Sequence, residues 1–137
     1  MNRKYLFILL GLALLCSCST PAYLSKTVWY SLSPAEKDGV KGSVMTSLYF
    51  LSDSSVDIYS SVIVDTNVIV KPFKIAAGNY LISGNPKKEA RISITAKTLQ
   101  KETVKYNGAF HKTEAMILVS QDSVPRLYGK LPNIKIP

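Results

Sequence analysis

The chain is short of the residues that carry most enzyme chemistry. Of its 137 residues one is histidine, His111, and two are cysteine, Cys16 and Cys18. With no cysteine after position 18, no disulfide can staple the remainder, and a domain there must be held by its own core. A thiolate metal centre is excluded there too, and no metal-ligand cluster is spaced along the chain. Acids are scarce, nine Asp and Glu against seventeen Lys and Arg. They are dispersed from Glu36 to Asp122, mostly among turn residues, and no spacing marks a glycosidase pair. Nothing selects one Ser among many as the nucleophile of a triad, and no glycine loop is set to cradle a phosphate. No catalytic residue and no metal ligand is therefore assigned. A long amphipathic helix is also missing.

What is present is basic charge, β-forming residues and a distinctive amino terminus. The formal net charge is +8, and discounting Arg3 and Lys4 leaves +6. The remaining cations are scattered, without the stripe or motif that nucleic-acid binding needs. They suit a solvated surface near anionic lipid or glycan.

Residues 1–17 read as a signal peptide. Arg3 and Lys4 precede an unbroken apolar run from Tyr5 to Leu15. Those eleven residues span about 16 Å as a helix, too short for a hydrocarbon core of about 30 Å. The run ends in Leu15-Cys16-Ser17-Cys18, which resembles the lipobox of bacterial lipoprotein precursors. Leu15 and Ser17 fit its aliphatic and small positions, and Cys18 its cysteine. Cys16 is a poor acceptor, because Leu15 precedes it where a small residue is wanted. The resemblance implies a diacylglycerol on the Cys18 sulfur, cleavage before Cys18, and an acyl chain such as palmitate on the new amino terminus. Two or more chains anchor stably, whereas one alone is marginal. Ser19 follows the cysteine, which by resemblance to enteric lipoproteins implies the outer membrane. With no acidic cluster next to Cys18, the periplasmic face is expected, and the cell surface stays open as the alternative.

Residues 18–26 read as a tether. Residues 27–131 read as eight or nine short strands separated by turn signals. Thr27 to Leu32 is the first, and Ser33-Pro34-Ala35-Glu36 is expected to break it with a single helical turn. Ser43 to Leu51 and Val56 to Val64 form a hairpin, with Val44, Leu48 and Phe50 on one face. Asp65-Thr66-Asn67 turns the chain into Val68-Ile69-Val70. Pro72 marks an edge or a bend, and Tyr80 to Ser83 is a separate strand. Ala90, Ile92, Ile94 and Ala96 alternate with polar residues, the mark of a half-buried strand. Glu102 to Phe110, Thr113 to Ser120 and Pro125 to Leu131 complete the set, with Gly108 placed where a barrel must bend. The tail, 132–137, reads as loose. The expected fold class is all-β, an antiparallel meander of eight or nine strands closing into a small barrel or sandwich after an N-terminal signal helix.

The order of features resembles the small lipocalin-like lipoproteins of Gram-negative bacteria. The residues that carry the likeness are Trp29, Tyr49-Phe50-Leu51, Gly78-Asn79-Tyr80-Leu81-Ile82, Ile92 and Ile94, Tyr106 and Gly108, and Met116 and Leu118. The Gly-x-Trp of true lipocalins is absent, since Lys26-Thr27-Val28 precede Trp29.

Six aromatics, Trp29, Tyr49, Tyr59, Tyr80, Tyr106 and Phe110, are candidates either to line a ligand cavity or to fill a barrel core. The reading that follows is a membrane-tethered, non-enzymatic binding or scaffold domain with a protein, lipid or glycan partner. No cofactor is expected beyond the lipid on Cys18. A lipocalin-like carrier of a small apolar ligand is one alternative, and a weak hydrolase on envelope polymers the other.

Overall fold

The computed structural model describes residues 23–111 and 115–132. The stretch read as a signal segment and lipobox with Cys18, residues 112–114 and the end of the tail lie outside the described residues. Eight strands follow one another: β1 (Thr27–Lys37), β2 (Val40–Phe50), β3 (Ser55–Val64), β4 (Asn67–Asn85), β5 (Glu89–Thr98), β6 (Thr103–His111), β7 (Ala115–Val119) and β8 (Pro125–Leu131). Each pairs antiparallel with the next, and β8 pairs back onto β1, so the meander is a closed barrel. Closure leaves no sheet edge to be satisfied along most of its circumference.

The inward face follows from alternation and register. Trp29, Leu48, Ile58 and Ala76 are successive partners across β1 to β4. Ile92, Gly108 and Leu118 continue around β5 to β7, and Phe110, Met116 and Tyr128 around β6 to β8. Apart from Gly108, these residues are buried, and they pack with Phe50, Val56, Tyr80 and Ile94 into one core cluster. Burial of a side chain the size of Trp29 stabilises by about 3 kcal/mol or more. Its polar edge is also satisfied, because the indole N–H donates to Thr27 Oγ1 at 3.0 Å. Phe50 and Tyr80 meet edge to face, with ring centroids 4.8 Å apart.

One end of the barrel is closed by the segment before β1. Leu24 is fully buried there. The Thr27 amide and hydroxyl both donate to the Leu24 carbonyl, and the Lys26 amide donates to the Phe50 carbonyl. Two glycines let the wall curve tightly. A Cβ at Gly78 would fall against the Thr95 carbonyl oxygen, and one at Gly108 against the Ile117 carbonyl oxygen.

Two expectations need correction. The helical turn at Ser33-Pro34-Glu36 does not form. β1 runs straight through it, with Ser33 opposite Val44, Pro34 opposite Ser43 and Glu36 opposite Lys41. Pro34 is tolerated because β8 reaches β1 only at Val28–Tyr30, so the far half of β1 has a free edge needing no amide donor. The true break is Asp38-Gly39, both at positive φ (52° and 77°), a two-residue hairpin turn. Val68–Val70 and Tyr80–Ser83, read as separate strands, are parts of one strand of 19 residues, β4. Register shifts against β3 absorb the irregular stretch around Pro72.

Candidate binding surfaces

The long hairpins create the most distinctive surface. β5 joins β4 only from Ala76 onward, and β8 leaves β1 after Tyr30. Residues 31–37, 40–46, 60–64 and 67–75 therefore rise beyond the closed barrel as a four-stranded flap with two free edges. Pro34 lies on one edge and Pro72 on the other. Each removes an amide donor, and the shifts in β4 further spoil the pairing row, so strand addition at either edge is obstructed. The faces are another matter. Val40, Val68, Ile69, Val70 and Phe73 are all exposed, Ile69 by 61% and Phe73 by 50%. Exposed apolar residues gathered on one projecting element mark an interaction surface more than scattered ones do.

The six candidate aromatics are divided by the barrel wall. Trp29, Tyr80 and Phe110 lie buried in the core, and Tyr106 packs against it. Tyr49 and Tyr59 alternate with the buried Leu48 and Ile58, which puts them on the outside. There they pack together with ring centroids 4.6 Å apart, tilted by 51°. The register row containing Tyr59 runs Tyr30, Ser47, Tyr59, Lys74, and Ser47 is buried within it. The six do not converge on one cavity.

A shallow groove of about 700 Å³ lies on the outer wall of β4 to β7. Gly108, Ala109 and Ser93 make it low, and Arg91 and Ile117 stand among its lining residues. The Ser93 hydroxyl donates to Asn107 Oδ1 at 3.0 Å beside it. Leu81 is the register partner of Ser93, and it is 76% exposed.

Charge is mostly paired or solvated. Lys74 Nζ meets Asp57 at 2.7 Å, and that contact raises the lysine pKa. Arg126 and Asp122 are paired at 2.5 Å beside the β7–β8 turn. The Arg126 guanidinium, the Ser120 hydroxyl and the Val124 amide hold the Asp122 carboxyl well below the usual range. Burial pushes the Tyr80 phenol up to about 12, with Asp53 adding to it, and burial also raises Tyr106 and Tyr128. Among the described residues no three His, Cys, Asp or Glu gather as a metal site.

Sequence reading missed the flap and the groove. A signal for the flap was present in the two largely apolar faces of residues 43–51. The groove had none, because Ser93, Asn107 and Gly108 meet only through strand pairing. A scan against protein-family models, a search of curated proteins and a search of solved structures each found no match.

Proposed function

We propose that this chain is a lipid-anchored protein of the bacterial envelope, whose barrel carries a non-enzymatic binding surface away from the membrane. The anchor is the acylated Cys18, the membrane is the outer membrane, and the working surface is the flap. The observation that carries this reading is an opposition of ends. The chain enters the barrel at Leu24, six residues after Cys18, a reach of about 20 Å when extended. The flap leaves the barrel at the other end of β1, beyond Tyr30. Ten residue steps separate Thr27 from Lys37, about 33 Å along β1. A partner protein arriving from the aqueous side then meets Val68–Val70 and Phe73 first. Catalysis receives no support from the described acids. Asp57 and Asp122 are held in ion pairs, and Asp122 is pushed toward the ionised form, the reverse of what a general acid needs. The calyx carrier is disfavoured because Trp29, Phe50, Phe110 and Tyr128 occupy the middle of the barrel.

The test uses cells expressing the full chain. Wild type should take up radiolabelled palmitate and sediment with the outer membrane, and Cys18→Ala should do neither. A photo-crosslinking residue at Val70 should give a discrete adduct, and one at Thr95 on the barrel wall should not. Persistent labelling of Cys18→Ala would overturn the anchor, and equal crosslinking from both positions would overturn the flap.

A further inference from the structure

We infer that the end of the barrel where the chain enters is itself a docking surface for an anionic lipid bilayer, with Arg91 and the paired lysines of the β4–β5 turn as its headgroup contacts. The inference rests on the lipid-anchored reading and deepens it by naming the face that meets the membrane.

Topology gathers the surface. In an up-and-down barrel the start of β1, the β2–β3 turn and the β4–β5 turn share one end. On these segments stand Lys26, Lys87 and Lys88, all exposed. Arg91, two residues into β5, is exposed beside them, and Lys130 lies near the end of β8. Against these five cations the same end carries Asp53, Glu89 and Asp57, the last paired with Lys74. The flap is less one-sided, with Lys37, Lys41, Lys71 and Lys74 standing among Glu36, Asp38 and Asp65.

Two features say what covers it. The first is chain length. Cys18 is within about 20 Å of Leu24, so any bilayer holding the acyl chains lies against this end rather than the flap. The second is charge of the fitting sign. A bilayer surface with anionic lipid attracts each nearby Lys or Arg by about fivefold in affinity. Apolar side chains are ready to follow. Leu81 is 76% exposed on the β4 wall, four residues before the strand ends, and Leu51 is 38% exposed on the β2–β3 turn. The groove lined by Arg91 opens on the wall adjoining this end, where one lipid phosphate would sit against the guanidinium. Docking of this kind fixes the barrel upright and keeps the flap away from the bilayer. A lone tether would leave it free to tumble.

The experiment removes the anchor to isolate the face. The chain from position 18 onward, carrying Cys18→Ala, is mixed with phosphatidylcholine vesicles with or without phosphatidylglycerol, and the bound fraction is measured by sedimentation. Binding should be at least tenfold stronger to the anionic vesicles and should fall as salt is raised. The double change Lys87→Glu with Lys88→Glu should abolish the difference, and Arg91→Gln should weaken binding about fivefold. Lys37→Glu with Lys41→Glu, on the flap, should leave most of it. Equal binding to both vesicles, or equal losses from the two lysine pairs, would overturn the proposal. So would binding to purified peptidoglycan in place of vesicles. Failure here with palmitate labelling intact would leave the anchor standing and remove only the docking face. Success here without labelling would keep the face and remove the anchor.

Discussion

The Tyr80 hydroxyl donates to the Ser52 carbonyl at 2.6 Å, and the Tyr80 amide donates to the Ser54 carbonyl at 2.8 Å. One residue of β4 thereby pins the β2–β3 turn to the barrel end, while its ring stands edge-on to Phe50 in the core.

That bond sets an alkaline limit. Burial raises the Tyr80 phenol from 10 to about 12. A group whose pKa is raised by folding contributes stability that is complete below the unfolded value and is lost as pH rises through the folded one. The loss should therefore begin near pH 10 and continue to about 12. Tyr80→Phe keeps the ring and removes both the bond and the titration. Urea unfolding should show a cost of about 1 kcal/mol at pH 7 and a shallower decline above pH 10. Tyr106 and Tyr128 are also raised by burial, so part of the decline should remain. An unchanged slope in the variant would remove Tyr80 from the account.

Gly108 and Gly129 should respond very unequally to the same methyl group. At Gly108 a Cβ falls on the Ile117 carbonyl oxygen and within 3.0 Å of Leu118 Cα, both backbone atoms that cannot step aside. At Gly129 it meets only the Tyr30 ring at 3.7 Å, an ordinary contact. Gly108→Ala should cost about 2 kcal/mol or more through forced backbone shifts, and Gly129→Ala about 0.5 kcal/mol or less. Thermal unfolding of the pair checks this without reference to function.

The same contrast shows where sequence reading succeeds. Ala90 to Ala96 announce their inward face, because Arg91, Ser93, Thr95 and Lys97 occupy every alternate place. The bend at Gly108 was legible for a related reason, an isolated glycine in a strand pattern. The flap was not. Pro34 reads as a strand breaker only if the strand has neighbours on both sides, and neighbour count is a property of the closed barrel. Tyr49 and Tyr59 were ambiguous because residues 43–51 are apolar on both faces, so aromatic character alone could not assign them to the core. Arg91, Lys87 and Lys88 lay among scattered cations until topology gathered them at the entry end.

The Asp122–Arg126 pair should shape the acid limb. Hydrogen bonds from Arg126, Ser120 and Val124 depress the Asp122 pKa below its ordinary 3.8. A depressed carboxyl contributes stability that is present above the unfolded value and is lost as pH falls through the folded one. The contribution should thus be intact at pH 6 and fade below about pH 4. Asp122→Asn should lower the melting temperature at pH 6 and flatten its fall toward pH 2. The pair is solvent-exposed, so added salt should shrink the difference between variant and wild type at pH 6. An acid limb of unchanged steepness would mean that other carboxyls carry it.

Two hydroxyls on this barrel make a further comparison. Ser61 is 1% exposed, and among the described residues its hydroxyl has no hydrogen-bond partner. A buried hydroxyl left unpaired costs about 1–3 kcal/mol relative to one that is satisfied. Removing the oxygen removes that penalty and leaves only a small void, so Ser61→Ala should be neutral or stabilising by about 1 kcal/mol. The Thr27 hydroxyl is the opposite case. It accepts from the Trp29 indole at 3.0 Å and donates to the Leu24 carbonyl at 2.5 Å, joining the largest core side chain to the segment that closes the barrel. Thr27→Val preserves shape but strands the indole N–H in the core, and it should cost about 1–3 kcal/mol. Denaturant titrations of the two variants should move the midpoint in opposite directions, or leave Ser61→Ala unmoved. Destabilisation of Ser61→Ala by as much as Thr27→Val would mean that the Ser61 hydroxyl has a partner in solution after all.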